Sequence, residues 1–264
     1  MFSLTAALLS VAVGWVLTCS NTWALSGFSP SQYNSATQYG QGVFYAPQAL
    51  TLFREPSAQS AVEATLTWST TQSSLSVQLS SEPLPLRAQS VFLAFYPEAG
   101  LALLPIISYG DNDWVEVLYR QDRPASEDQA TAWVKTMAPA DASANVRRAE
   151  AASSAYPFWG FSQSWTAFFR LNGRRNGLYW LTGVSGYHQS PRTEPDDKAS
   201  LVEITAPTKA DVKHLRGNWV LMAYHDFGQQ QPMGWVRWRD DDGRLMQFVN
   251  FSAQPSVLIP PRAH

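Results

Sequence analysis

Apolar and polar positions alternate with a period of two along most of this chain, the pattern of strands that bury one face. In Trp114 to Tyr119, Val115, Val117 and Tyr119 share a face; in Trp219 to Tyr224, Val220, Met222 and Tyr224 take the matching face. Turn-forming residues bracket both: Gly110-Asp111-Asn112-Asp113 before Trp114, Arg216-Gly217-Asn218 before Trp219, and Asp240-Asp241-Asp242-Gly243 after Trp238. Val91 to Tyr96 is a further predicted strand. One segment departs from this period. Ser164 to Leu171 sets Trp165, Phe168 and Phe169 at helical spacing, with a cap at Ser162 or Ser164 and a stop at Asn172-Gly173. The expected fold is all-β with one short helix.

Two stretches of the chain match each other. The first runs from Leu52-Phe53-Arg54-Glu55-Pro56-Ser57 through Trp114-Val115 and Tyr119 to Ala132-Trp133-Val134-Lys135. The second runs from Arg192-Thr193-Glu194-Pro195-Asp196 through Trp219-Val220 and Tyr224 to Gly234-Trp235-Val236-Arg237. A self-match at similar spacing predicts two similar units. The implied division is a leader (1–24), an irregular lead-in (25–42), a first module (43–136) with an insertion at about 69–101, an Ala/Ser linker (137–155), a second module (156–251) and an irregular tail (252–264).

These motifs resemble those of bacterial SH3 domains. Leu52 to Ser57 is similar to that family's opening Leu-x-Val-Arg-x-x-Pro-Ser, Gly110 to Val117 to its Gly-Trp-x-x-Val hairpin, and Gly234-Trp235-Val236 to its closing Gly-Trp-Val. Glu55 and Glu194 stand where the family has Gly before Pro. The first copy also carries a long insertion between Pro56 and Trp114. The resemblance implies two small SH3-like barrels with non-catalytic binding, often of cell-wall peptidoglycan or a protein partner.

Composition narrows the function classes. The leader combines an apolar run, Leu4 to Leu17, with Thr22-Trp23-Ala24, as in an export signal cleaved after Ala24. No cation precedes it; an N-terminal anchor and a lipoprotein at Cys19 are the alternatives. Export would place the mature chain in the periplasm or outside the cell. Cys19 is the single cysteine, so a mature chain without the leader holds no disulfide, thiolate metal site or cysteine nucleophile. The net charge of -2 carries no nucleic-acid footprint, and no cofactor motif occurs.

Candidate chemistry centres on the closing strands. If Val134 and Val236 face the core, Trp133 with Lys135 and Trp235 with Arg237 face outward. Each module would then present a ring beside a cation, suited to a peptide with apolar and carboxylate groups. The bland reading is that both rings seal a contact between the modules. His188, His214, His225 and His264 form no metal-ligand spacing, and no catalytic residue is assigned. Glu194, Asp196 and Asp197 are the carboxylates a glycoside hydrolase would need. The expected protein is therefore a binding or scaffolding protein of the cell envelope, with an envelope hydrolase as the alternative.

Overall fold

The computed structural model describes residues 27–33, 40–68, 75–79, 87–121, 130–137, 160–204, 209–225 and 232–251. The expected leader, the body of the expected linker and the expected tail lie outside the described residues. The chain is mostly β, as the period-two pattern predicts. The first strands are β1 (Gly42–Tyr45), β2 (Ala49–Phe53), β3 (Val62–Trp68), β4 (Leu75–Leu79) and β5 (Ala94–Tyr96). β6 (Leu101–Tyr109), β7 (Trp114–Leu118), β8 (Thr131–Lys135) and β9 (Ser162–Ser164) follow. The remaining strands are β10 (Leu178–Trp180), β11 (Lys209–Arg216), β12 (Trp219–His225), β13 (Met233–Arg237) and β14 (Gln247–Val249).

These strands form three sheets. The largest has nine strands in the order β4-β3-β2-β8-β7-β6-β1-β9, with β5 also paired to β6. β10 pairs with β14, and β11-β12-β13 form an antiparallel meander. Among the described residues none of the three sheets closes on itself, so the barrel expectation is met only as far as the β class.

The two matched stretches carry the same ladder. In the first, Val115 pairs with Val134 and Glu116 with Trp133. In the second, Val220 pairs with Val236 and Leu221 with Trp235. The preceding strands repeat as well. β6 slips register between Ile106 and Ser108 opposite Val117 and Glu116; β11 slips between Val212 and His214 opposite Met222 and Leu221. Each bulge adds one residue at the same place in its hairpin. The loops after Phe53 and Arg192 also correspond. Arg54 N donates to Ala61 O and Thr193 N to Ser200 O; Ser57 N donates to Glu55 O and Asp196 N to Glu194 O. A side chain braces each loop, as Gln59 N donates to Ser57 Oγ and Lys198 N to Asp196 Oδ1.

Burial explains which strands alternate and which do not. One core gathers Phe44, Leu52, Leu66, Leu104, Val115, Val117 and Val134. A second gathers Val43, Tyr45, Leu101, Leu103, Trp165, Phe168, Val220, Val236 and Trp238. Neighbouring residues of β1 and β6 thus point into different cores. β5 does the same, with Phe95 in the first core and Ala94 and Tyr96 in the second. Strands covered on both faces lose their polar alternation, but the strand predicted over Val91 to Tyr96 forms only over Ala94–Tyr96. Val91 closes a short helix, Ala88–Val91, and another spans Gly186–Gln189, where one short helix was expected. The expected insertion therefore supplies, through β5, part of the joint between the units.

Two further segments differ from the sequence expectation. The helix begins where expected, at Trp165, with Ser164 Oγ accepting from Ala167 N at 3.3 Å. It does not stop at Asn172-Gly173. The turn widens over Phe169–Gly173, continues through Arg174–Asn176 and ends at Gly177, whose φ is 73°. Buried Asn172 donates to Phe168 O and Tyr45 Oη, so this polar residue holds the helix rather than ending it. The lead-in residues 27–33 are irregular yet anchored. Phe28 exchanges backbone hydrogen bonds with Phe95, Tyr33 N donates to Thr182 O, and Tyr33 Oη donates to Asp240 at 2.7 Å. Gly42, placed in the lead-in by sequence, opens β1.

Candidate functional site

Val134 and Val236 are buried, and the Trp beside each is half-buried on the opposite face. Cross-strand pairing places each Trp at the centre of a row running over the outer face of its unit. The first row is Ser108, Glu116, Trp133, Phe53 and Val62. The second is His214, Leu221, Trp235, Arg192 and Leu201. Each ends on an exposed aliphatic side chain, Val62 or Leu201. Sequence reasoning found the central rings and missed the row, because its five members come from five different segments.

The two rows have diverged. In the first, Glu116 accepts hydrogen bonds from Ser108 Oγ and Thr131 Oγ1, and Trp133 packs over Gly110. In the second, apolar Leu221 replaces Glu116, and His214 meets Trp235 edge to face with centroids 6.0 Å apart.

The cations beside the rings also differ. Lys135 is exposed and has no ion-pair partner among the described residues. Arg237 is buried, lies 5.0 Å over the Trp219 ring, and is held by two carboxylates. Its Nη1 donates to Asp241 Oδ1 at 2.7 Å, its Nε to Asp197 Oδ1 at 3.2 Å, and its Nη2 to Asp197 Oδ2. Burial alone would disfavour the guanidinium charge; the two carboxylates outweigh this and raise its pKa. The hydrogen bond from Arg237, with its charge, holds the Asp241 carboxyl below its ordinary value. Arg237 is thus neutralised within its own unit, which the sequence reading of an outward, available cation did not foresee.

A cleft of about 440 Å³ opens beside this network. One wall is the loop Glu194, Pro195 and Asp196; the other is the turn between β11 and β12, Arg216 to Trp219. Gly217, at φ 56°, lets that turn reverse tightly. Asn218 is committed elsewhere, donating to Asp240 O and accepting from Arg239 Nε. Glu194 and Arg216 are exposed, and neither side chain has a partner among the described residues. Of the three carboxylates singled out for hydrolysis, Asp197 is bound to Arg237, Asp196 braces its own loop, and Glu194 alone is unengaged.

His188 Nδ1 is buried without a partner, and His214 packs on Trp235. His225 lies in β12; Asp226 and His264 lie outside the described residues. Among the described residues no group of three or more His, Cys, Asp or Glu is placed to hold a metal ion, and no helix is long and apolar enough to cross a membrane. No family model, curated protein or solved structure matches this chain.

Proposed function

We propose that this chain is an exported, non-catalytic binding or scaffolding protein of the cell envelope. Each unit is a divergent, open variant of the bacterial SH3 arrangement. Together they recognise peptidoglycan peptides or a protein partner there. The supporting observation is the repeated row with a half-buried Trp at its centre, Trp133 in one unit and Trp235 in the other. A ring fixed between cross-strand neighbours offers a flat apolar platform at little entropic cost. Lys135 adds an unpaired cation near the first ring for a ligand carboxylate. In the second unit Arg237 is occupied, and the ring's row neighbours are Leu221 and the buried Arg192. Two such faces on one chain raise avidity when one polymer presents both ligands.

Co-sedimentation of the mature protein with purified peptidoglycan tests this reading. Trp133→Ala combined with Trp235→Ala should abolish sedimentation while circular dichroism stays unchanged. Wild-type sedimentation by a folded double variant overturns it.

A further inference from the structure

The cleft of the second unit shares no residue with the tryptophan rows. Three charged side chains line it, Glu194 and Asp196 on the loop wall and Arg216 on the turn wall. Arg216 lies more than 4 Å from both carboxylates, since it forms no ion pair with either, yet all three border one space. Neighbours do not neutralise them. Four other carboxylates and two cations of this unit are already matched: Arg237 with Asp197 and Asp241, and Arg244 with Asp240 and Asp242. A solute carrying both a cation and an anion can pair with the two walls at once.

We infer that this cleft binds a small zwitterionic peptide, its ammonium on Glu194 and its carboxylate on the Arg216 guanidinium. The guanidinium fork suits a carboxylate, and Asp196 strengthens the acidic wall. Pro195 and the edge of Trp219 line the space between them for the peptide's uncharged body. The volume lies within the range of small-ligand pockets, about 300–1,000 Å³, and a tripeptide spans at most about 10 Å.

The first unit lacks the site, for a visible reason. Gly110 stands where the second unit has Arg216, and a Cβ there would lie 2.7 Å from the Trp133 ring. The adjoining turn carries Asp111 and Asp113 and no cation. The two copies have divided: both keep the ring, and the second alone has Arg216 facing its acidic loop across a cleft.

The test is nuclear magnetic resonance titration of the full mature chain with triglycine and trialanine, each free, N-acetylated or C-amidated. Free peptides should shift the Trp219 indole and Arg216 resonances. Either cap should weaken binding about tenfold, the scale of one charge-assisted hydrogen bond. Glu194→Gln should erase the difference between free and acetylated peptide, and Arg216→Gln that between free and amidated peptide. Glu55→Gln should change neither. The inference is overturned if no free tripeptide binds, if capped and free peptides bind alike, or if the folded cleft variants keep the wild-type preferences. Peptidoglycan sedimentation lost only in the tryptophan variants, with tripeptide titration intact, separates this site from the envelope reading.

Discussion

At the scale of single residues, Arg237 concentrates the most interactions. Its guanidinium stacks on Trp219 and binds Asp197 and Asp241 from a buried position. Arg237→Ala leaves Asp197, which is mostly buried, without its cation. Asp241 is largely exposed and recovers water, so its loss is small. A cost of about 2 kcal/mol is expected, read as a lowered urea midpoint at unchanged slope. The sign with pH follows from Asp241. Its folded-state pKa is depressed, so its contribution is present above the unfolded value and lost as pH falls through the folded one. The gap between wild type and Arg237→Ala should therefore narrow below about pH 4. At the other end of the scale, burial pushes the Tyr179 phenol up to about 12 and raises Tyr224 as well. A raised phenol pKa gives stability that is whole below the unfolded value of 10.0 and lost as pH rises through the folded one. Melting temperature followed through that interval should fall, and less steeply in Tyr179→Phe. The inward Val134 and Val236 were legible because period two is a local rule. The neutralisation of Arg237 was not, because Asp197 stands 40 residues away in sequence.

At the scale of elements, the two copies explain each other's sequence differences. Gly234 and Ala132 occupy the same place in the ladder, opposite Met222 and Val117. A Cβ on Gly234 would lie 2.5 Å from Pro191 Cβ, a rigid ring atom that cannot swing away. The first copy has Leu52 at the position of Pro191, and Ala132 is accommodated there, buried. Gly234→Ala should therefore cost about 1–3 kcal/mol through overpacking. Ala132→Gly should cost less, about 1 kcal/mol, through backbone entropy. Equal losses in chemical denaturation would contradict this account. The same comparison marks where sequence reading failed at this scale. Asn172-Gly173 carries ordinary helix-stop chemistry, but Asn172 is buried and bonded to Tyr45. A partner from another element overrode the local signal and carried the helix on to Gly177.

At the scale of the molecule, the decisive feature is that β1, β5 and β6 serve two cores at once. Leu103 and Leu104 are adjacent in β6 and both fully buried, Leu103 in the second core and Leu104 in the first. The lead-in reinforces the joint, since Phe28 bonds to Phe95 while Tyr33 bonds to Thr182 and Asp240. The two sequence copies therefore do not behave as beads on a linker. A strand cannot leave one core while remaining packed in the other, so the cores should melt together. Leu103→Ala and Leu104→Ala should each cost about 2–5 kcal/mol. Both should lower one shared transition, with tryptophan fluorescence and far-ultraviolet circular dichroism coincident in each variant. Independent units would respond differently: each substitution would move only part of the amplitude, and the two probes would separate. That outcome would mean β6 can be released from one core alone, and the shared strands would then be a contact between two folds rather than the centre of one.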